Sequence, residues 1–487
     1  MFTGLLGRAK LIERYIQLQK VANAMLEASQ NNGEDDKKFL PRNVSKMSIL
    51  VAIVLLAVVR WPVITLPISV DLASYSVGAG EILRGVPLYG AGVWDMKPPG
   101  IFLLLAAWQG IFGVGEVQLW ALGFVLAAVT LASIMIVAQK LGNGDLAGTI
   151  AGGLWVVAGS LPTFNADRML PDSLMIAGLA VMAACVVLGN SGRAGIAACV
   201  AILTKPTAAM LVAPLIAWHV AKWGRGSWQM IAGLIAPALL VVVWLIKTSD
   251  LAEAWYACVS YAGWFAGDPL QNVVAGMAPD KLAGPMPWLF AALLVLAIPA
   301  FCRYPWALGF LVAAWVMAAL PGKWWPHYYQ PILTLLIILA GLGTARLRSG
   351  IVLSTLVGGI VLAESWPTIV GRGENLIVLR NLAREATCRE LGHALSGTTF
   401  WQWGDDQCLY FYARVRPPTG MTWADHLTYT RSDLRDMHLD RIIKSAPAIV
   451  VINRRFWLSP PERISSWLDD LYKPILELGW YEVWKRT

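Results

Sequence analysis

Residues 71–100 read DLASYSVGAGEILRGVPLYGAGVWDMKPPG and bring charge into a chain made mostly of apolar segments. The apolar run from Met47 to Val70 is long enough to cross a bilayer, so Asp71 is expected at a membrane surface. Lys97 then precedes a second apolar run. An ionisable group beside a membrane span indicates a function by default, so this stretch decides how the rest of the chain is interpreted.

The first part of the stretch predicts a helix that lies on the bilayer. Apolar residues recur at helical spacing from Leu72 through Tyr75 to Ile82, and a glycine and a proline follow. Asp71 would cap the N-terminus of this helix. The pattern also fits a structural role alone, with Asp71 as a helix cap and Lys97 as an interfacial anchor.

The composition is that of a membrane protein. Of the 487 residues, 57% are hydrophobic and 14% are charged, whereas an average soluble chain has about 25% charged residues. The predicted fold class is a polytopic α-helical membrane protein of about 11 spans, with surface helices in a large first outer loop and a small C-terminal soluble α/β domain. The net charge of +8 is interpreted by the location of the Lys and Arg residues, and no nucleic-acid partner is predicted.

Apolar runs predict the positions of the spans. They lie at about 47–69, 118–138, 146–162, 172–189, 195–204, 206–221, 228–247, 285–303, 305–320, 328–345 and 349–366. The short run 98–113 is predicted not to cross, because Lys140, Arg193 and Arg303 then share the side of the basic N-terminus. Residues 195–221 are too few for two full spans and predict a broken pair hinged at Lys205.

Three regions are predicted along the chain. Residues 1–46 form a cytoplasmic basic amphipathic helix and a charged linker, residues 47–371 the transmembrane module, and residues 372–487 an outer α/β domain. Cys388 and Cys408 lie in the outer domain and are predicted to form a disulfide, because disulfides persist in oxidising compartments.

Local patterns in the C-terminal region predict two helices and two strands. Helical patterns cover 432–445 and 463–471, and β-branched or aromatic runs at 448–452 and 480–485 predict the strands.

Acids, cations and aromatic residues gather on the predicted outer face. They are Asp71, Asp95, Lys97, Asp167, Arg168, Asp172, Lys205, Lys323, His327, Tyr328 and Tyr329. Such a mixture can deprotonate a hydroxyl with one group and hold a phosphate with others.

These residues resemble a family, the lipid-phosphate-dependent glycosyltransferases of the C superfamily (GT-C), especially lipid A aminoarabinose transferases and protein O-mannosyltransferases. The resemblance covers most of residues 47–345. It is carried by an acid after the first span with a tyrosine four residues on, by a Lys-Pro-Pro that closes the first outer loop, and by an acid that opens a later span. A Leu-Thr-Lys ending at Lys205 and a His-Tyr-Tyr before a span complete the motifs.

The resemblance implies a polyprenyl-phosphate sugar donor and a lipid, glycan or protein acceptor at the outer face of a bacterial cytoplasmic membrane. Asp71 would be the base that takes the acceptor proton, with inversion at the sugar carbon, and Asp172 is the second catalytic candidate. The candidates for binding the donor phosphate are Lys97, Lys205 and Arg168, and those for binding substrate are Tyr75, Asp95, His327, Tyr328 and Tyr329.

No residue is assigned to a metal. The first acid is followed by Leu72, where many members of the family carry a second acid, and a divalent cation is kept only as an alternative. Asp95 lies two residues before Lys97, whereas the aminoarabinose enzymes have an acid immediately before the lysine.

Other functions remain open at the level of sequence. A transporter or flippase of lipid-linked saccharides also has many spans and intramembrane charge, but the polar residues here gather on one face, whereas alternating access needs a site near the midplane. A polysaccharide polymerase or ligase would share the lipid-phosphate donor. The lysines could also be plain interfacial anchors, and the His327 segment part of an aromatic belt.

Overall fold

The first half of the described chain consists of helices. The structure, a computed structural model, describes residues 46–487 except for 143, 166–167, 225–226, 348–357 and 360–375. The helices up to residue 223 are α1 (Lys46–Arg60), α2 (Val70–Leu83), α3 (Gly100–Phe112), α4 (Glu116–Gly142), α5 (Asp145–Ala158), α6 (Pro171–Val187), α7 (Ser191–Thr204) and α8 (Ala209–Trp223).

Helices continue up to residue 344. They are α9 (Ser227–Thr248), α10 (Leu251–Trp255), a π-helix (Tyr256–Tyr261), α11 (Ala262–Ala266), α12 (Pro269–Gly276), α13 (Pro279–Ala283), α14 (Pro287–Arg303), α15 (Ala307–Ala319) and α16 (Gln330–Thr344). Short 3₁₀ helices lie at Trp61–Thr65, Pro162–Phe164, Pro206–Ala208 and Pro326–Tyr329.

Three helical segments among the described residues are long and apolar enough to cross a membrane. They are Lys46–Thr65, Glu116–Gly142 and Ser227–Thr248. Shorter apolar helices occupy several of the other predicted spans, and α3 has only 13 residues. The span predicted at 349–366 lies outside the described residues except for 358–359. The count of about 11 spans therefore stays a prediction.

The C-terminal region contains a small mixed sheet flanked by helices. Its elements are α17 (Leu376–Ala394), β1 (Phe400–Trp403), α18 (Cys408–Ala413), α19 (Ala424–Tyr429), α20 (Ser432–Ser445), β2 (Ile449–Asn453), α21 (Glu462–Leu471), β3 (Tyr472–Leu478) and β4 (Tyr481–Arg486). The strand order is β1-β2-β4-β3, with β1 parallel to β2 and the other two pairs antiparallel. The helices predicted at 432–445 and 463–471 and the strands predicted at 448–452 and 480–485 are confirmed.

The apolar face of α2 packs against protein and not, as predicted, against the bilayer, because protein covers this helix on several sides. The position of α2 relative to the membrane surface stays a prediction. Leu72, Tyr75 and Ala79 are buried, and so are Ser76 and Glu81 on other faces of the helix. The cover comes from α3 on one side and from α18 of the C-terminal region on another. The apolar spacing therefore reflects packing against protein and not against lipid.

Asp71 is also not the cap of α2. The N-cap residue is Ser69, whose hydroxyl accepts a hydrogen bond from the backbone N–H of Leu72. Asp71 lies in the first turn, where a carboxylate interacts favourably with the positive end of the helix dipole.

Two hydrophobic cores hold the described residues together. The first joins α1, α4 to α8 and α14 to α16. The second joins α2, α3 and the beginning of α4 to the C-terminal sheet and its helices. The C-terminal region thus shares its core with the residues around Asp71, and the predicted boundary at 371–372 falls outside the described residues.

The structure confirms the predicted disulfide between Cys388 of α17 and Cys408 of α18. The bond links two helices that begin the C-terminal region, and both cysteines are buried.

We expect alkylation of the denatured protein to label four of the six cysteines before reduction and all six after it. The four free cysteines are Cys185, Cys199, Cys258 and Cys302. The double variant Cys388→Ser/Cys408→Ser should be less stable by about 3 kcal/mol, the worth of closing a loop of this size in the chain-entropy model. Mass spectrometry and thermal unfolding measure the two effects, with Cys302→Ser as the control. Six labelled cysteines before reduction would contradict the pairing.

Candidate active site

The predicted site residues lie at the ends of helices. Asp71 and Tyr75 are in the first two turns of α2, and Asp172 is in the first turn of α6. Lys205 stands between α7 and the 3₁₀ helix Pro206–Ala208, and His327 lies in the 3₁₀ turn that leads into α16. Helix ends are suited to this role, because their side chains can leave the apolar layer while the helices hold them in position.

Asp172 and Lys205 form a largely buried ion pair, in which the lysine side chain is 14% exposed. The Lys205 Nζ lies 2.7 Å from Oδ1 and 2.8 Å from Oδ2 of Asp172, which is 2% exposed. The same ammonium stands over the Tyr328 ring, 4.3 Å from its centroid. His327 Nε2 is 3.9 Å from Asp172 Oδ2. Four predicted site residues from three separate helix ends therefore meet in one cluster.

The loop before α3 reaches the same region. The backbone N–H of Lys97 donates to Asp95 Oδ1 at 2.9 Å, and the Tyr89 hydroxyl donates to the Lys97 carbonyl at 2.9 Å. Gly100 allows the close approach, since a Cβ there would lie 2.6 Å from the Leu203 carbonyl oxygen. A side chain at position 100 would push the Lys97 loop away from the Lys205 junction.

Asp71 is partly buried among these charges. Burial raises the pKa of its carboxyl above the ordinary value of 3.8, while the positive charges of Lys97 and Arg384 lower it. Asp95 and Asp172 add to the increase. Asp71 is therefore a stronger base than a solvated aspartate. The charges that act on it come both from the first half of the chain and from the C-terminal region.

His327 is neutral at physiological pH. Burial lowers its pKa to about 4, although the nearby Asp172 opposes this shift. A neutral imidazole can donate or accept a hydrogen bond, but it does not supply a positive charge for a phosphate.

Three of the predicted residues have other surroundings. Arg168 Nη1 contacts Glu385 Oε2 of α17 at 2.6 Å. Tyr329 donates its hydroxyl hydrogen to the Lys281 carbonyl at 2.7 Å, and Lys323 stands over the Phe265 ring.

Asp167, the remaining acid of the predicted set, lies outside the described residues.

Two residues near Asp71 escaped the sequence-based interpretation. Arg384 of α17 acts on Asp71 and contacts Asp406 at 2.6 Å. Burial and the neighbouring Asp425 raise the pKa of Asp405 to about 8, although Arg384 opposes the shift. No sequence signal marked them, because they lie more than three hundred positions from Asp71 in a region that resembles a soluble domain.

Arg60 near the end of the first span is held by hydrogen bonds. It donates to Ser160 Oγ at 3.1 Å and to the Gly159 carbonyl at 2.5 Å. These acceptors offset part of the cost of a charge at this depth.

A metal site is not evident in the described part of the chain. The group of three potential ligands that lie close together there is Cys388, Asp406 and Cys408, and its two cysteines are joined in the disulfide. Disulfide sulfurs are not thiolates, which are the form of cysteine that binds metals.

The comparisons with known proteins point to one fold. No family model and no curated protein matches the sequence. Among solved structures, the chain is similar to ArnT from Cupriavidus metallidurans bound to undecaprenyl phosphate, with 17% identity, a TM-score of 0.56, and coverage of 91% of this chain and 97% of that one. The apo ArnT structure gives 18% identity, a TM-score of 0.58, and coverage of 90% and 98%.

The chain has the ArnT fold. ArnT is a GT-C lipid A aminoarabinose transferase, so the predicted resemblance is confirmed at the level of fold. At this identity the likeness to ArnT carries the architecture alone, and the role of each residue rests on the geometry described above.

We expect Asp172→Asn to destabilise the protein by about 3–5 kcal/mol, because Lys205 would remain buried without its partner. The double variant Asp172→Asn/Lys205→Met removes both charges and should recover most of this loss. Thermal unfolding in detergent measures both effects.

The control for the pair is Asp280→Asn. Its pair with Lys281 is exposed, with the aspartate side chain 69% accessible, so the unfolding temperature should stay close to that of the parent. A double variant less stable than Asp172→Asn would contradict the prediction, because it would show that the unpaired Lys205 charge is not the cause of the lost stability.

Proposed function

We propose that the protein is an integral membrane glycosyltransferase. It would move a hexosyl or pentosyl group from a polyprenyl-phosphate donor to a hydroxyl group of a lipid, glycan or protein acceptor, with inversion at the sugar carbon. The observation that carries this proposal is an apolar cavity whose lining reaches to within one helical turn of Asp172.

The cavity has a volume of about 120 Å³ and lies between the helices that bear the cluster. Ile176 is one turn beyond Asp172 in α6, and Leu211 is in the first turn of α8, which follows the Lys205 junction. Other lining residues include Val137, Leu179, Ala183, Trp218, Trp306 and Leu335. Asp172 and Lys205 thus lie near the starts of two helices whose later residues line this apolar space.

An amphiphile with an anionic head fits this arrangement. The isoprenoid tail of the donor would occupy the apolar cavity, where each buried methylene contributes about 0.8 kcal/mol. Its phosphate would then reach Lys205 and Lys97, and the sugar would lie towards Asp71. The ArnT structure with undecaprenyl phosphate supports a donor of this lipid class.

The proposed step is a single displacement. Asp71 accepts the proton of the acceptor hydroxyl while that oxygen forms a bond to the anomeric carbon, and the bond from this carbon to the phosphate oxygen breaks. The phosphate leaves with the electron pair, and the charges of Lys97 and Lys205 stabilise it. The raised pKa of Asp71 favours proton transfer, because a stronger base takes the proton more readily.

The other candidates have supporting places in the proposal. Asp172 orients Lys205, while Tyr75, Asp95, His327 and Tyr328 line the space offered to the sugar. Tyr329 holds the turn through its bond to the Lys281 carbonyl. Arg168 is a weaker candidate for binding the phosphate than Lys97 and Lys205, because its guanidinium already contacts the Glu385 carboxylate.

The proposed location is the bacterial cytoplasmic membrane, with the site and the C-terminal region outside. The predicted placement of most Lys and Arg residues on the opposite side supports this orientation. The disulfide between Cys388 and Cys408 supports it as well, because disulfides persist in oxidising compartments.

Incubation of the purified protein with candidate polyprenyl-phosphate sugars, followed by mass spectrometry of the products, tests the reaction.

Ala183→Phe tests the tail site, because the larger side chain would fill the cavity. This variant should raise the KM for a full-length donor about tenfold, as expected if roughly two methylenes lose their burial, while a short-chain donor is unaffected. Val295→Phe, at a position 60% exposed and outside the cavity lining, is the matched control. An unchanged KM for the full-length donor would remove the cavity from the proposal.

Asp71→Asn should lower the turnover rate by about 10²–10⁴-fold, the usual worth of a general base. Asparagine has nearly the same size but cannot accept the proton, so folding and donor binding should persist. The parental rate should also fall as the pH drops through a pKa above 3.8, because protonated Asp71 is inactive. Rate measurements with the folded variant and a pH profile of the parent check both points.

Two further variants serve as comparisons for Asp71→Asn. Asp250→Asn changes an exposed acid at the start of α10 and should leave the rate unchanged. Lys97→Ala should weaken donor binding as well as the rate, because its charge meets the phosphate in both the ground and transition states. Near-parental transfer by Asp71→Asn would move the search for the base to Asp172 or Asp95.

A further inference from the structure

A second cavity lies on the face of α2 that is turned away from Asp71. Its volume is about 310 Å³, and its walls are α2, the end of α18 and the segment that follows α18. Gly80 is one of its lining residues and stands on the opposite side of the helix from Asp71, since each residue turns an α-helix by about 100°. The cavity is therefore separate from the proposed transfer site.

Arginine residues dominate the charge of this cavity. Arg84, Arg414 and Arg416 line it together with a single acid, Glu81. Arg84 contacts Glu81 at 2.8 Å, and Arg416 contacts it in a two-pronged arrangement with Nε 3.0 Å from both carboxylate oxygens. Three positive charges against one negative charge leave two positive charges without compensation.

Arg414 is the arginine available to a ligand. It follows α18 in a left-handed conformation with φ of 55°, and this turn brings Arg414 and Arg416 to the same cavity. In the described part of the chain Arg414 has no ion-pair partner, and its side chain is exposed. Glu81 is 6% exposed and already held by Arg84 and Arg416, so it does not neutralise Arg414.

Apolar side chains form one edge of the cavity mouth. Val114 lines the cavity and is 47% exposed. Ile111, Phe112 and Leu83 nearby are 75%, 53% and 52% exposed. A Cβ at Gly110 would lie 3.7 Å from Leu83 Cδ2, so the end of α2 meets the end of α3 here. Exposed apolar groups in a membrane protein are suited to contact with acyl chains.

We propose that this cavity binds the phosphate of an anionic membrane lipid. The planar guanidinium groups of Arg414 and Arg84 would hold phosphate oxygens by charge-assisted hydrogen bonds, which guanidinium geometry favours over those of lysine. The acyl chains would lie over the apolar edge formed by Leu83, Ile111, Phe112 and Val114. The bound lipid would then connect α2 and the C-terminal region to the bilayer.

Native mass spectrometry of the full-length protein with dioleoyl phosphatidylglycerol tests the proposal. Arg414→Gln should raise the Kd for this lipid about tenfold, the effect of losing one charge-assisted hydrogen bond. Lys444→Gln removes an exposed positive charge from α20, outside the cavity lining, and should leave the Kd unchanged. Thermal unfolding without lipid confirms that both variants are folded.

The outcomes separate the sources of the phosphate. Equal binding by the parent and Arg414→Gln, or equally tight binding of phosphatidylcholine, overturns the proposal. Inorganic phosphate that binds as tightly as phosphatidylglycerol, with the same loss in Arg414→Gln, would show a site for free anions and would also overturn the lipid. Asp71→Asn should bind phosphatidylglycerol like the parent, so the result does not depend on the proposed transfer reaction.

Discussion

Charges buried at the ends of helices are the constraint on which the structure depends. An isolated charge loses several kcal/mol of hydration when it is buried, so each one needs a partner at hydrogen-bond distance. Asp172 and Lys205 satisfy each other at 2.7 Å, and this contact fixes the start of α6 against the junction of α7 and α8. Gly100 then lets the loop that carries Lys97 approach the same junction. The geometry of the candidate site is therefore a consequence of compensating charge in an apolar setting.

The same need for partners ties the C-terminal region to α2. The Tyr412 hydroxyl accepts from the backbone N–H of Ile68 at 2.8 Å and donates to Glu116. Arg416 reaches back to Glu81 across the same interface. Each contact joins residues more than two hundred positions apart, and together with the shared apolar core they cover a helix that would otherwise meet the lipid or water.

Local patterns in the sequence predicted most helices and the main site. The alternation of apolar spans and polar connections placed Asp71, Lys97, Asp172, Lys205 and His327 on one side, and the structure brings Asp172, Lys205 and His327 into contact. Assigning polar residues to one side of the membrane succeeds here because the order of the spans determines which helix ends lie on the same side.

Much of what the sequence left unassigned depends on long-range packing. The burial of α2 follows from the three-dimensional surroundings, since the spacing of Leu72 and Tyr75 fits a lipid-facing and a protein-facing helix equally well. The cap at Ser69 is a local bond to Leu72, and it was missed because Asp71 is also a common cap residue. Strand β1 was missed because its four residues are all buried and show no alternation. Strand β3 was missed because it is mostly exposed and has a proline inside it.

The position of Asp71 between two parts of the chain has a chemical consequence. Lys97 acts on its carboxyl from the loop before α3, and Arg384 acts on it from the C-terminal region. If the C-terminal region moved away from α2, Asp71 would lose the positive charge of Arg384 and part of its apolar cover at once, and these two losses change the pKa in opposite directions. The basicity of Asp71 is therefore a property of the docked arrangement. A C-terminal region that shares a core with α2 keeps this balance constant, which gives a physical reason for a soluble-like region to be built into the candidate site rather than attached to it by a linker.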